Sequence, residues 1–191
     1  MTRWWPLLLL LLGPAVSAAE IRSLDVRYED GFYTMRSEAW FDVGIEPMYD
    51  VFSSWELSTE FSSAIVEARD LAPDASGRPG FYSVARGCVL FFCKSLTRQG
   101  YVERNRPQLL RAIADPARSD FEVSDETWEF ATDDGGTVIT YTLLMKPAFW
   151  VPPAIGPFVI KQTLKNKAGQ ALDRIESIAR TYDATGRIVV D

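Results

Sequence analysis

The sequence predicts an α+β fold: one curved antiparallel β-sheet gripping a long C-terminal helix, with two short helices after the first strand. Three observations predict it. Residues 32–43 and 137–146 alternate apolar and polar side chains with the period of a half-buried strand. Asp133-Asp134-Gly135-Gly136 is a hairpin signal. Residues 158–180 repeat apolar side chains every three or four positions, as one stripe of an amphipathic helix does.

The chain opens with Arg3, then Trp4-Trp5-Pro6 and the leucines Leu7 to Leu12, and Gly13-Pro14 breaks the run. Ala15-Val16-Ser17-Ala18-Ala19 supplies the small residues that a signal peptidase needs. Residues 1–19 therefore read as an export signal cleaved after Ala18 or Ala19, and the expected location is the periplasm. The apolar run is shorter than the about 20 residues that span a bilayer as a helix. An uncleaved anchor is the alternative. No Cys follows the small residues, which argues against a lipoprotein. Cleavage takes the net charge from -6 to -7 and leaves one domain of ordinary size. Within it, 20–31 reads as an N-terminal extension, 32–180 as the folded domain and 181–191 as a tail.

In 32–43, Tyr33, Met35, Ala39 and Phe41 share one face of the first strand. Pro47 marks the first turn of a short helix, in which Met48, Val51, Phe52 and Trp55 recur at helical spacing. A second helical turn falls near 58–63, where Ser58-Thr59-Glu60 offers caps. Strands follow near 64–70, 80–88, 93–104, 108–114, 120–131 and 137–146. Asp74-Ala75-Ser76-Gly77-Arg78-Pro79-Gly80 is the loop between the first two. In the last strand Ile139, Tyr141, Leu143 and Met145 share a face. An irregular apolar loop over 147–157 leads into the long helix. Its stripe is Ile160, Leu164, Ala168, Leu172, Ile175 and Ala179. Its polar face carries Lys161, Lys165, Lys167, Asp173 and Glu176.

Composition excludes several kinds of chemistry. There is no histidine, which removes the Ser-His-Asp triad, the Cys-His pair and His-ligated metals. Two cysteines are too few for a thiolate-only metal site, and no EF-hand spacing is present. No cofactor or metal is expected. An acidic chain does not suit general nucleic-acid binding, which rests on Lys and Arg neutralising phosphates.

The cysteines are Cys88 and Cys93. Five steps along a straight strand cover about 16 Å, beyond the about 7 Å Cα limit of a disulfide. A bridge therefore requires the chain to reverse between them, with Leu90, Phe91 and Phe92 at the tip. An apolar tip would mark a contact surface, either a transient membrane contact or a ligand mouth. The other reading is a single buried strand over 81–93 with two reduced thiols.

The order of elements resembles the START-like, or helix-grip (SRPBCC), superfamily, with its polyketide cyclase/dehydrase and coenzyme Q-binding groups. The resemblance covers residues 32–180 and rests on three stretches. They are Phe41-Asp42-Val43-Gly44-Ile45-Glu46-Pro47 with the aromatic helix after it, the hairpin at 133–136, and the proline-rich run 146–157 leading into the long helix. The resemblance implies a hydrophobic tunnel between sheet and helix, and a small-molecule or lipid ligand more than catalysis.

Two functional classes follow. The first is a periplasmic binder or carrier of a lipid, isoprenoid or quinone-like molecule. Tyr141, Leu143 and Met145 on the sheet and Phe158, Leu164 or Leu172 on the helix would line the tunnel, with Phe149 and Trp150 at its mouth. Plain core packing is the competing account of each. The second is a cyclase-type or hydrolase-type enzyme on the same cavity. Its acid or base would come from Asp42, Glu126, Glu129 or Arg86, with Tyr141 as proton donor. Solvated strand positions are the competing account there. Six basic residues against two acidic ones over 94–118, then seven acidic and no basic ones over 120–134, read as adjacent strands pairing opposite charges. A bipolar surface facing anionic lipid is the alternative.

Overall fold

In a computed structural model that describes residues 19–89, 92–151 and 156–185, eight strands form one antiparallel sheet in the order β1-β2-β8-β7-β6-β5-β4-β3. The strands are β1 (Glu20–Glu29), β2 (Phe32–Phe41), β3 (Ile65–Leu71), β4 (Gly80–Val89), β5 (Phe92–Asn105), β6 (Leu109–Ala114), β7 (Phe121–Asp133) and β8 (Gly136–Pro147). Helices α1 (Ile45–Ser53) and α2 (Ser58–Phe61) follow β2, and α3 (Gly156–Thr185) closes the chain. The fold is α+β, a curved sheet gripping a C-terminal helix, as the sequence predicts.

Turn chemistry sets the hairpins. Asp134 and Gly135 adopt φ of 46° and 80°, the two positive φ values that a tight β7–β8 turn needs. Asp30 and Gly31, at 49° and 87°, make the same turn between β1 and β2. The segment 20–31, read from sequence as an extension, therefore builds an edge strand of the sheet. Gly100 on β5 has a different cause. A Cβ there would lie 1.9 Å from the carbonyl oxygen of Ile113, so only glycine lets β6 approach so closely.

The main core lies between the concave face of the sheet, α1, α2 and the C-terminal half of α3. Met48, Val51, Phe81, Leu110, Ala112 and Ala179 are wholly enclosed there. Trp55 stacks against Phe81 at 4.4 Å between ring centroids, and Phe52 meets Phe130 edge-on at 5.7 Å. The helix stripe is confirmed at Leu172, Ile175 and Ala179, all buried. The side chains of Lys167 and Ala168 lie outside the described ones.

Two assignments on α3 change. Glu176 is buried, not on the polar face, because it stands one turn after Leu172 and beside Ile175. It accepts from Arg180 at 2.8 Å, and Arg180 also binds Asp42 at 2.8 Å. The helix also continues to Thr185, into the segment read as a tail. Tyr182 in that extra turn donates to Asp50 on α1 at 2.5 Å, and Asp50 is ion-paired with Arg106. The end of α3 is thereby tied to α1 and to the β5–β6 turn.

Adjacent strands pair opposite charges: Arg111 on β6 binds Asp125 on β7 at 2.7 Å. The expected export signal, residues 1–19, lies outside the described residues except for Ala19. So does the β4–β5 tip at Leu90 and Phe91. On either side of those residues β4 and β5 pair antiparallel, with Cys88 opposite Cys93. Cys93 is disulfide-bonded, and no free cysteine occurs among the described residues.

Candidate functional site

On β5 the inward parity runs Arg98, Gly100, Val102, and on β7 it runs Ser124, Glu126, Trp128, Phe130. Two charged residues thus occupy positions that alternation assigns to the concave interior. Arg98 Nη1 donates to Glu126 Oε1 at 2.8 Å, with the two side chains only 13% and 11% exposed. The guanidinium carbon lies 5.5 Å from the Phe81 ring centroid. Ser83, the register partner of Arg98, and Ser124 are buried beside the pair.

Arg98 is only partly satisfied. Its Nε and Nη2 are buried and have no hydrogen-bond partner among the described residues. More than nine in ten buried donors are paired in folded proteins, and an unpaired one costs on the order of 1–3 kcal/mol.

Tyr141 on β8 completes the group. Burial pushes its phenol well above the ordinary 10.0; the charge of Glu126 and a hydrogen bond to it push the same way, while Arg98 opposes them. Tyr141 is therefore held as a neutral hydroxyl. Trp128, its register partner, packs on its ring at 5.4 Å.

An apolar field lies next to this polar group. Val26, Met35 and Leu143 form a second buried cluster, with Leu24, Tyr141, Met145 and Leu164 packed against it. Four of the residues expected to line the interior, Tyr141, Leu143, Met145 and Leu164, are thus brought together, three from β8 and one from α3. A cleft of about 170 Å³ adjoins them, lined by Tyr28, Gly31, Tyr33, Lys146, Pro147, Phe149 and Val151. Tyr33 is the register partner of Met145, which joins the cleft to the cluster. Burial drives the Tyr33 phenol up to about 12.

Of the remaining expected residues, Phe149 lines the cleft, with Lys94 Nζ 3.6 Å above its ring. Phe158 does not line the interior, being 72% exposed, and Trp150, expected at the mouth, is 78% exposed. Phe158 sits in the first turn of α3, whereas the buried stripe is Leu172, Ile175 and Ala179 in the C-terminal half of the helix. Among the candidate acids and bases only Glu126 is buried. Asp42 is engaged by Arg180 at the surface, and Glu129 and Arg86 are exposed. Sequence reasoning missed Arg98, although its place in the parity of Val102 was a legible signal.

No family model matches the chain, and no curated protein does. Solved structures do. A START superfamily protein from Mycobacterium smegmatis matches with a TM-score of 0.60 at 15% identity, over 75% of this chain and 97% of that one. A STAR-related lipid transfer protein from Xanthomonas axonopodis matches at 0.59 and 13% identity, over 82% and 98%. The di-domain ARO/CYC BexL matches at 0.58 and 11% identity, over 79% of this chain and 51% of that one. At these identities the likeness concerns the fold alone: the chain has the START-like helix-grip fold.

Proposed function

We propose that the protein is a non-catalytic periplasmic binder or carrier of a hydrophobic small molecule whose polar end carries an acceptor oxygen. The apolar part would lie against Met35, Leu143, Met145 and Leu164, where each Å² removed from water contributes about 25 cal/mol. The polar end would accept from Arg98 Nε and Nη2, beside Tyr141. The two unsatisfied buried donors of Arg98 are the observation that carries this reading. The START-like fold supports the apolar half of the ligand, and the N-terminal sequence supports export.

The test is uptake of fluorescent probes that share an apolar tail and differ at the head: a carboxylate, an alcohol, a quinone and an unsubstituted hydrocarbon. Saturable uptake of the oxygen-bearing probes is expected. Arg98→Met should weaken them by tenfold or more, as loss of a charged hydrogen bond of about 1.5–3 kcal/mol requires. Equal uptake of the bare hydrocarbon, or equal uptake by Arg98→Met, contradicts the assignment.

A further inference from the structure

Phe158 and Trp150 stand at the two ends of the β8–α3 connection, and both are turned to solvent. Scattered exposed aromatics need no explanation. These two are set among lysines. Lys161 and Lys165 follow Phe158 at three and seven residues, on one helical face. Lys94, at the start of β5, lies over Phe149, which ties that strand end to the same connection. From Gly135 to Leu172 the chain carries four lysines and no acidic residue, in a protein whose net charge is -6. One of the four, Lys146, is ion-paired with Glu122, which leaves that acid neutralised.

We propose that this end of the molecule is a docking surface for an anionic lipid bilayer. Trp150 and Phe158 insert at headgroup level, where aromatic rings partition, and Lys94, Lys161 and Lys165 meet lipid phosphates. An acidic protein is repelled by an anionic surface except through its basic end, so the charge layout also fixes the orientation of approach. The surface rests on residues other than Arg98, Glu126 and Tyr141, and holds whatever the interior binds.

The test is co-sedimentation of the mature chain with vesicles of phosphatidylcholine alone, and of phosphatidylcholine with phosphatidylglycerol. The protein should pellet with the second kind and be released by salt. Trp150→Ala/Phe158→Ala, and separately Lys94→Glu/Lys161→Glu/Lys165→Glu, should each lower partitioning by about tenfold or more, with unchanged circular dichroism. Four of the five positions are exposed and Lys161 is half-buried, and the two variants are independent of one another. Failure to pellet, equal pelleting with both vesicles, or variants that bind like the parent would overturn the proposal. A dimer in sedimentation equilibrium that Trp150→Ala/Phe158→Ala dissolves would assign the patch to self-association and overturn it as well.

Discussion

Arg98 and Glu126 meet at 2.8 Å across an intervening strand: one stands on β5 and the other on β7. Between them β6 presents Ala112 and Ala114, both buried, and β5 itself continues with Gly100. Small residues there leave room for a long guanidinium side chain to lie along the concave face rather than leave it.

The pair should be strongly coupled. Arg98→Met or Glu126→Leu alone leaves one buried charge uncompensated and should cost about 3 kcal/mol. The double substitution should cost less than the sum of the two by about 1 kcal/mol or more. Denaturant unfolding of the four proteins measures this. Additive losses would mean that the two groups are independently solvated.

Tyr33 makes the fold sensitive to alkali. Its phenol ionises only at about 12 in the folded protein, against 10.0 in the unfolded chain, so the folded state favours the neutral form. This contribution is fully present below pH 10 and is lost as pH rises through about 12. Unfolding measured from pH 9 to 12 should show a stability loss that Tyr33→Phe reduces.

Asp50 gives the opposite slope. Partial burial raises its carboxyl, but hydrogen bonds from Arg106 and Tyr182 outweigh burial and hold it below 3.8. Its contribution is present above that value and is lost as pH falls through the lower folded one. Asp50→Asn should lower stability at neutral pH and flatten the acid limb below about pH 4. Thermal melts across that range decide it.

Gly100→Ala should be among the most damaging single-methyl changes. Its Cβ would sit 1.9 Å from a backbone oxygen, which no side-chain rotation relieves. A loss of about 3 kcal/mol is expected, read as a lower melting temperature.

The strands were legible because their apolar parity is clean. Ile139, Tyr141, Leu143 and Met145 follow one parity, and the Asp-Gly chemistry of 133–136 fixes the turn before them. β1 escaped notice for a physical reason. A register shift between Ile21 and Ser23 moves its apolar residues from the parity of Ile21 to that of Leu24 and Val26. The Asp30-Gly31 turn carried the same signal as Asp134-Gly135 and would have revealed it. Phe158 and Glu176, five full turns apart, share one helical phase, so periodicity alone does not tell that the first is exposed and the second buried. The interior polar group was half legible: Glu126 stood among several carboxylates, and only the fold shows that Arg98 shares its face. Which apolar side chains surround that pair depends on contacts between β1, β2, β8 and α3, far apart in sequence.

The most direct test of the central claim is native mass spectrometry, with organic extraction, of the mature protein purified from its own compartment. The account predicts a co-purifying oxygen-bearing hydrophobic molecule near one-to-one stoichiometry, lost from the Arg98→Met variant while its fold is retained. A protein that emerges empty, or an Arg98→Met variant that keeps the same molecule, would contradict it.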